Sequence, residues 1–188
     1  MKKLFSVLMV CVMVLSLFGC GAKNEASNNS NKLVVALNAE FPPYEYKDGG
    51  EITGIDPDMA REIGKRLGME VEFIDIAFDS VIPAIQSGKA DLAATGLTVT
   101  EDRKNFVNFT DMYQDAVQVI IVTEDSGIKS KDDMDGKNIG VQTGTTGDMY
   151  CTDELKNANV LRFPKILDGV QGLITGKVDA CVVDDQVA

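Results

Sequence analysis

Ile82-Pro83-Ala84-Ile85-Gln86-Ser87-Gly88-Lys89-Ala90-Asp91-Leu92-Ala93-Ala94-Thr95-Gly96 reads as a short apolar helix, a Gly-Lys turn and a strand. Val170-Gln171-Gly172-Leu173-Ile174-Thr175-Gly176-Lys177-Val178-Asp179-Ala180-Cys181-Val182-Val183 reads the same way. One copy in each half of the chain favours two similar lobes with a cleft between them. Around the first copy, Lys32 to Asn38 is an apolar strand. A helix opens at Asp56-Pro57, with an aspartate N-cap and a proline at N1, and closes at Gly68, with Met59, Ile63 and Leu67 as its apolar stripe. Val71 to Ile76 is the next strand, Asp79 caps a helix through Ser87, and Asp91 to Thr95 is a further strand. Around the second copy, Ala116 to Val122 reads as a fully apolar strand. Asn138 to Val141, a helix from Thr145, a strand near Val160 to Phe163, a helix through Thr175 and a strand over Asp179 to Val183 repeat the alternation. The pattern predicts an α/β protein whose two halves are parallel sheets flanked by helices.

Composition narrows the chemistry. The 188 residues are 45% hydrophobic and 25% charged, with a formal net charge of -11, no His and no Trp. The apolar share fits a globular class. The acidic excess would repel a phosphate backbone and argues against a nucleic-acid partner. Without His there is no His-assisted serine or cysteine triad, no H-E-x-x-H zinc site and no ordinary pH switch.

The amino terminus reads as an address. Met1, Lys2 and Lys3 precede the apolar run Leu4 to Phe18, which is too short to span a bilayer comfortably and ends in Leu17-Phe18-Gly19-Cys20. This resembles a bacterial lipoprotein signal, with residues 1–19 removed and Cys20 acylated. Residues 20–31 would then be a lipidated cysteine and a flexible polar tether. With Cys11 lost and Cys20 modified, Cys151 and Cys181 are the pair left to react; a disulfide and two buried thiols both stay open.

Ligands of open parallel sheets bind at the carboxyl ends of strands. There the chain places Asn38-Ala39-Glu40-Phe41-Pro42-Pro43-Tyr44, then Phe78, then Thr95 to Thr100 leading into Glu101-Asp102-Arg103. Thr143-Gly144-Thr145-Thr146-Gly147 and Asp184 follow strands of the second half. These parts match a zwitterion. Arg103 offers a planar fork for a carboxylate, and unpaired backbone N–H groups at Thr145 and Thr146 would favour the same group. Asp184 can accept from an ammonium, Phe41 and Phe78 can sandwich a side chain, and Gly96 can donate or accept where a Cβ would obstruct. Gly144 to Gly147 lacks the lysine of a Walker A loop, and Asp133-Met134-Asp135-Gly136 lacks the first and last ligands of a calcium loop.

Phe-Pro-Pro-Tyr at 41–44, Gly-Ile-Asp at 54–56, Gly-Leu-Thr-Val-Thr-Glu-Asp-Arg at 96–103, Gly-Thr-Thr at 144–146 and Gly-Lys-Val-Asp-Ala at 176–180 together carry a family signature. Over residues 32–188 the chain resembles the bacterial extracellular solute-binding proteins of family 3. The resemblance implies a type II periplasmic-binding-protein fold, two lobes with a hinge and a ligand cleft, and capture of a free polar amino acid for an ABC transporter permease. It implies no cofactor, no metal and no enzymatic activity, on a protein held by lipid at the outer face of the cell membrane. It assigns Arg103, Thr98 and the Thr145 to Thr146 backbone to the α-carboxylate, and Gly96 and Asp184 to the α-ammonium. Asn38, Phe41 and Phe78 fall to the side-chain pocket. Dehydratases and receptor sensor modules share the fold by the same resemblance. Lobe 1 is expected over residues 32–118 and lobe 2 over 119–188. Family members continue beyond the point matching Ala188, so lobe 1 is expected to lack a carboxy-terminal return, lobe 2 its last part, and an apolar face to be left exposed.

Overall fold

The computed structural model describes residues 31–188, which form one compact unit. The readings made above for the signal, Cys11, Cys20 and the tether lie outside the described residues.

The first sheet has the order β5-β1-β6, all parallel, with β1 Lys32–Leu37 central, β5 Glu70–Asp75 on one side and β6 Leu92–Ala93 on the other. Side chains alternate across a strand. Leu33 and Val35 therefore meet Ala60 of helix α1 (Ile55–Leu67) on one face, and Ala36 meets Val81 and Ala84 of α2 (Val81–Gln86) on the other. The short helix α3 (Glu101–Lys104) follows. The second sheet has the order β7-β10-β8-β9, from β7 Gln118–Ile121, β8 Asn138–Gln142, β9 Asn159–Phe163 and β10 Ala180–Asp184. Helix α4 (Thr146–Glu154) buries Cys151 against Ile139, Val141 and Val182, while α5 (Ile166–Ile174) buries Leu173 against Phe163 and Cys181 on the opposite face. Both thiols are free and buried, and burial pushes each up to about 11. They pack in separate clusters on opposite faces of the sheet, which decides against a bridge.

The sequence repeat is a structural one. Gly88 and Gly176 adopt φ +71° and +74°, and after each the lysine N–H reaches back to a helical carbonyl: Lys89 to Ala84 at 2.9 Å, Lys177 to Gly172 at 2.7 Å. Asp91 donates its N–H to Val34 O and accepts the Val34 N–H on its carboxylate at 2.9 Å. Asp179 does the same with Asn138, at 2.7 Å. Each Gly-Lys-x-Asp turn thus ties its helix to the neighbouring strand of its own sheet.

Several expectations need correction. β7 runs antiparallel to β10, so the second sheet is mixed, and the run Ala116 to Val122 is interrupted by the polar Gln118. The stretch around Phe41-Pro42-Pro43-Tyr44 is the start of a small antiparallel sheet, β2 Glu40–Phe41, β3 Glu45–Asp48 and β4 Glu51–Thr53. Helix α1 is capped by Gly54, not Asp56, whose carboxylate instead turns inward to Gly96 N at 2.7 Å and the Tyr113 hydroxyl. The face of α1 against the sheet is built from the small Ala60 and Gly64, where even a Cβ on Gly64 would meet Val71 at 2.3 Å. Met59 and Ile63 consequently line an apolar groove of about 380 Å³ with Ile82, Ile85, Phe109 and Met112. Leu67 is exposed.

Candidate functional site

Three strands of the two sheets end around one cavity. Asn38 follows β1, Gln142 ends β8 and Asp184 ends β10. Asn38, Phe41, Phe78, Gly96, Thr98, Arg103, Thr145, Thr146 and Asp184 all line this cavity, which measures about 30 Å³. That is room for a water or two. Of the neighbouring aspartates, Asp184 faces the cavity, while Asp185 exchanges hydrogen bonds with the Val117 backbone.

Arg103 is placed by local chemistry. Thr100 caps α3, its hydroxyl accepting from Arg103 N at 3.2 Å, and this turns the side chain inward to 7% exposure. The guanidinium donates to Thr98 O at 2.6 Å and, across the cleft, to Gly144 O at 2.9 Å, with its carbon 5.6 Å from the Phe78 ring centre. Gly144 is where the lobes approach: its φ is +77°, and a Cβ there would sit 3.1 Å from Asp79. Arg103 forms no ion pair among the described residues. Burial lowers its pKa, opposed by the more distant Asp184. Asp184 likewise lacks an ion pair there and is held by the Gln118 amide; burial pushes its carboxyl upward. Arg103 is a buried charge and Asp184 a partly buried one, each without a contacting counter-ion among the described residues, an arrangement that weighs against the fold until a partner arrives.

The other end of the cavity is a chain of amides and carboxyls. Asn38 N donates to Thr95 Oγ1 at 2.9 Å, and Thr95 donates on to Glu45 at 2.8 Å. Gln142 Nε2 donates across the cleft to Asn38 Oδ1 at 2.9 Å. At the rim, Lys165 pairs with Glu40. One expectation fails here. Thr145 N–H is not free: it donates to Gln142 O at 3.3 Å, and the Thr145 hydroxyl serves Gln142 O and Asp148 N. Thr145 is the N-cap of α4, so its groups are spent starting the helix, and of the two N–H groups only that of Thr146, at N1, has no described acceptor. Gly96 N–H is also committed, to Asp56, which leaves its carbonyl for a ligand.

Sequence reading missed Gln142, Gln118, Glu45 and Ile166, which also line the cavity. Gln142 stands at a strand end and Gln118 is a lone polar residue in an apolar run; both signals were legible. Nothing local marks Glu45, which stands in the middle strand of the small antiparallel sheet and is buried against Thr95. Burial, then the Asp56 charge, push its carboxyl up to about 10. Such a group holds its proton in the fold and loses it in the unfolded chain. Its contribution to stability is therefore full below the ordinary carboxyl range and declines as pH rises toward 10. Glu45→Gln should flatten that decline and, near pH 8, stabilise the protein by about 1–3 kcal/mol. Thermal melts at acidic and alkaline pH check this; parallel slopes for both proteins would refute it.

Comparison with known proteins places this geometry. The family model described as bacterial extracellular solute-binding proteins, family 3, matches residues 33–165. The arginine-binding extracellular protein ArtP of Bacillus subtilis (strain 168) is 34% identical over 196 residues, covering 100% of this chain and 75% of that protein. A probable histidine-binding protein of Campylobacter jejuni is 32% identical, covering 100% of this chain and 76% of the relative. The solved structure of holo ArgBP from T. maritima superposes with a TM-score of 0.81 at 42% identity, covering 84% of this chain and 71% of that one.

Proposed function

Because this chain belongs to the bacterial extracellular solute-binding proteins, family 3, we propose that it captures a free polar L-amino acid between its two lobes and delivers it to the permease of an ABC importer. The observation that carries this reading is a pair of charges without a contacting counter-ion, the buried Arg103 and the partly buried Asp184, facing one cavity. A zwitterion neutralises both at once. Arg103 takes the α-carboxylate with the Thr146 N–H and the positive end of α4. Thr98 lies beside it, and Thr145 acts by starting the helix. Asp184 and the Gly96 carbonyl take the α-ammonium; Phe41 and Phe78 wall the side chain, with Asn38 beneath.

A cavity of about 30 Å³ does not admit an amino acid. The lobes, residues 32–118 and 119–188, must part for entry, breaking the Arg103–Gly144, Gln142–Asn38 and Lys165–Glu40 contacts. Ligand then favours closure by its differential affinity for the closed state. The step is binding and release, with no bond made or broken. A Cys20 carrying two acyl chains, with a third on its amino terminus, would keep the protein beside its permease. Among the described residues no helix is long and apolar enough to cross a membrane.

Calorimetric titration with a bound amino acid, its methyl ester and its N-acetyl derivative tests the zwitterion. Each derivative should bind at least about 100-fold more weakly, since each leaves either Arg103 or Asp184 without its partner in the closed cleft. An ester that binds as well as the free acid would overturn the reading.

A further inference from the structure

Once the α-carboxylate and α-ammonium have taken Arg103, Thr146, Asp184 and Gly96, few polar groups of the lining remain for the ligand's side chain. Thr95 is spent, accepting from Asn38 N and donating to Glu45 Oε1, while Glu45 Oε2 has no partner among the described residues. Gln118 spends both amide hydrogens, one on Thr146 Oγ1 and one on Asp184. Beside that one Glu45 oxygen, what remains is the amide pair Asn38 and Gln142, both buried.

The polarity of that pair is set from outside. Asn38 Nδ2 donates to Ile76 O at 3.0 Å, and Gln142 Nε2 donates to Pro164 O at 3.2 Å as well as to Asn38 Oδ1. Backbone carbonyls only accept, so neither amide can turn its oxygen toward them without opposing two oxygens. Gln142 has no amide hydrogen left, and its Oε1 accepts from no described residue. Asn38 Oδ1 keeps one lone pair and Asn38 Nδ2 one hydrogen. Around them the lining is apolar: Phe41, Phe78 and Ile166. Arg103 is the one cation of the lining, and the α-carboxylate occupies it.

Resting on the reading above, we infer that Gln142, oriented by Pro164 and Asn38, is a specificity-determining residue whose carbonyl oxygen selects amino acids with side-chain N–H donors and rejects those ending in a carboxylate. A guanidinium, ammonium or primary amide can donate to Gln142 Oε1 and Asn38 Oδ1. A carboxylate of the same shape would place an anion against two oxygens with no second cation to meet it, and buried polar mismatches of this kind discriminate strongly. Asn38 and Gln142 stand on different lobes, so this wall is complete only when the cleft is closed. Discrimination and closure are therefore one event.

The test is calorimetric titration of the full chain with arginine, lysine, glutamine and glutamate, then of Gln142→Leu with the tightest of them. The tightest ligand should carry side-chain N–H donors, and glutamate should bind at least about 100-fold more weakly than it. Gln142→Leu should weaken that ligand at least about tenfold while the free protein keeps its circular dichroism. Glutamate as the tightest ligand, or unchanged affinity in Gln142→Leu, overturns the assignment and leaves the zwitterion reading standing. No binding to any of the four, nor to the other proteinogenic amino acids, overturns both. The wild-type comparison decides the matter even if the leucine variant does not fold.

Discussion

Arg103→Ala should leave a folded chain with no measurable affinity for any amino acid. The side chain is 7% exposed and has no carboxylate partner among the described residues, so its charge is held for something the fold does not supply. A ligand carboxylate that enters without it is buried unpaired, at a cost of about 3–5 kcal/mol, or some 10²- to 10⁴-fold in affinity. Arg103→Lys separates charge from shape. A point charge keeps the attraction but cannot hold Thr98 O, Gly144 O and a carboxylate together, so about 10- to 100-fold of the loss should persist. The fold should survive both changes because α3 is one turn long and its cap, Thr100, is untouched. Calorimetry reads the affinity and far-ultraviolet circular dichroism the fold; wild-type affinity in Arg103→Ala would remove the anion site from the mechanism.

The second large effect belongs to Asp184→Asn, which preserves shape and removes charge. The ligand ammonium then loses its only anionic partner in the lining, an expected loss of about 2–5 kcal/mol of binding. Stability should move the other way. Burial raises the Asp184 carboxyl above its ordinary range, so the charged form weighs against folding above that range, and this weight grows as pH rises through it. The neutral asparagine should melt at the same temperature as the wild type or higher at neutral pH. Loss of binding with no loss of stability marks a residue kept for function at the expense of the fold. A variant that loses both together would place Asp184 among the structural residues.

Much of this was legible before any coordinates. The two Gly-Lys-x-Asp turns announced themselves as one unit used twice, and the same pair of strand-to-aspartate hydrogen bonds recurs in each sheet because the same residues recur. Arg103 and Asp184 stood out because charged residues directly after buried strands have few structural uses. Asp56 was legible as important and wrong in role: an aspartate before a proline fits an N-cap, but Gly54 takes the turn and the carboxylate is drawn inside by Tyr113 and Gly96. The parallel strands followed from the alternation of strand and helix, but the direction of β7 was not legible. Val119, Ile120 and Ile121 read alike whichever way β7 runs, and only its pairing with β10 shows it antiparallel.

The chain's own residues thus determined the class of fold, the places where strands end and the charges that stand there, since periodicity and turn chemistry act over a few neighbours. Tertiary structure alone decided which hydrogen-bonding groups stay free. Gly96 lost its N–H to Asp56, 40 residues away, while Gln142 was left an unpaired oxygen. Whether Gly96 N–H or the Gln142 amide is spent or available depends on atoms brought from distant parts of the chain, Asp56 for the one, Asn38 and Pro164 for the other, and local sequence carries no record of them.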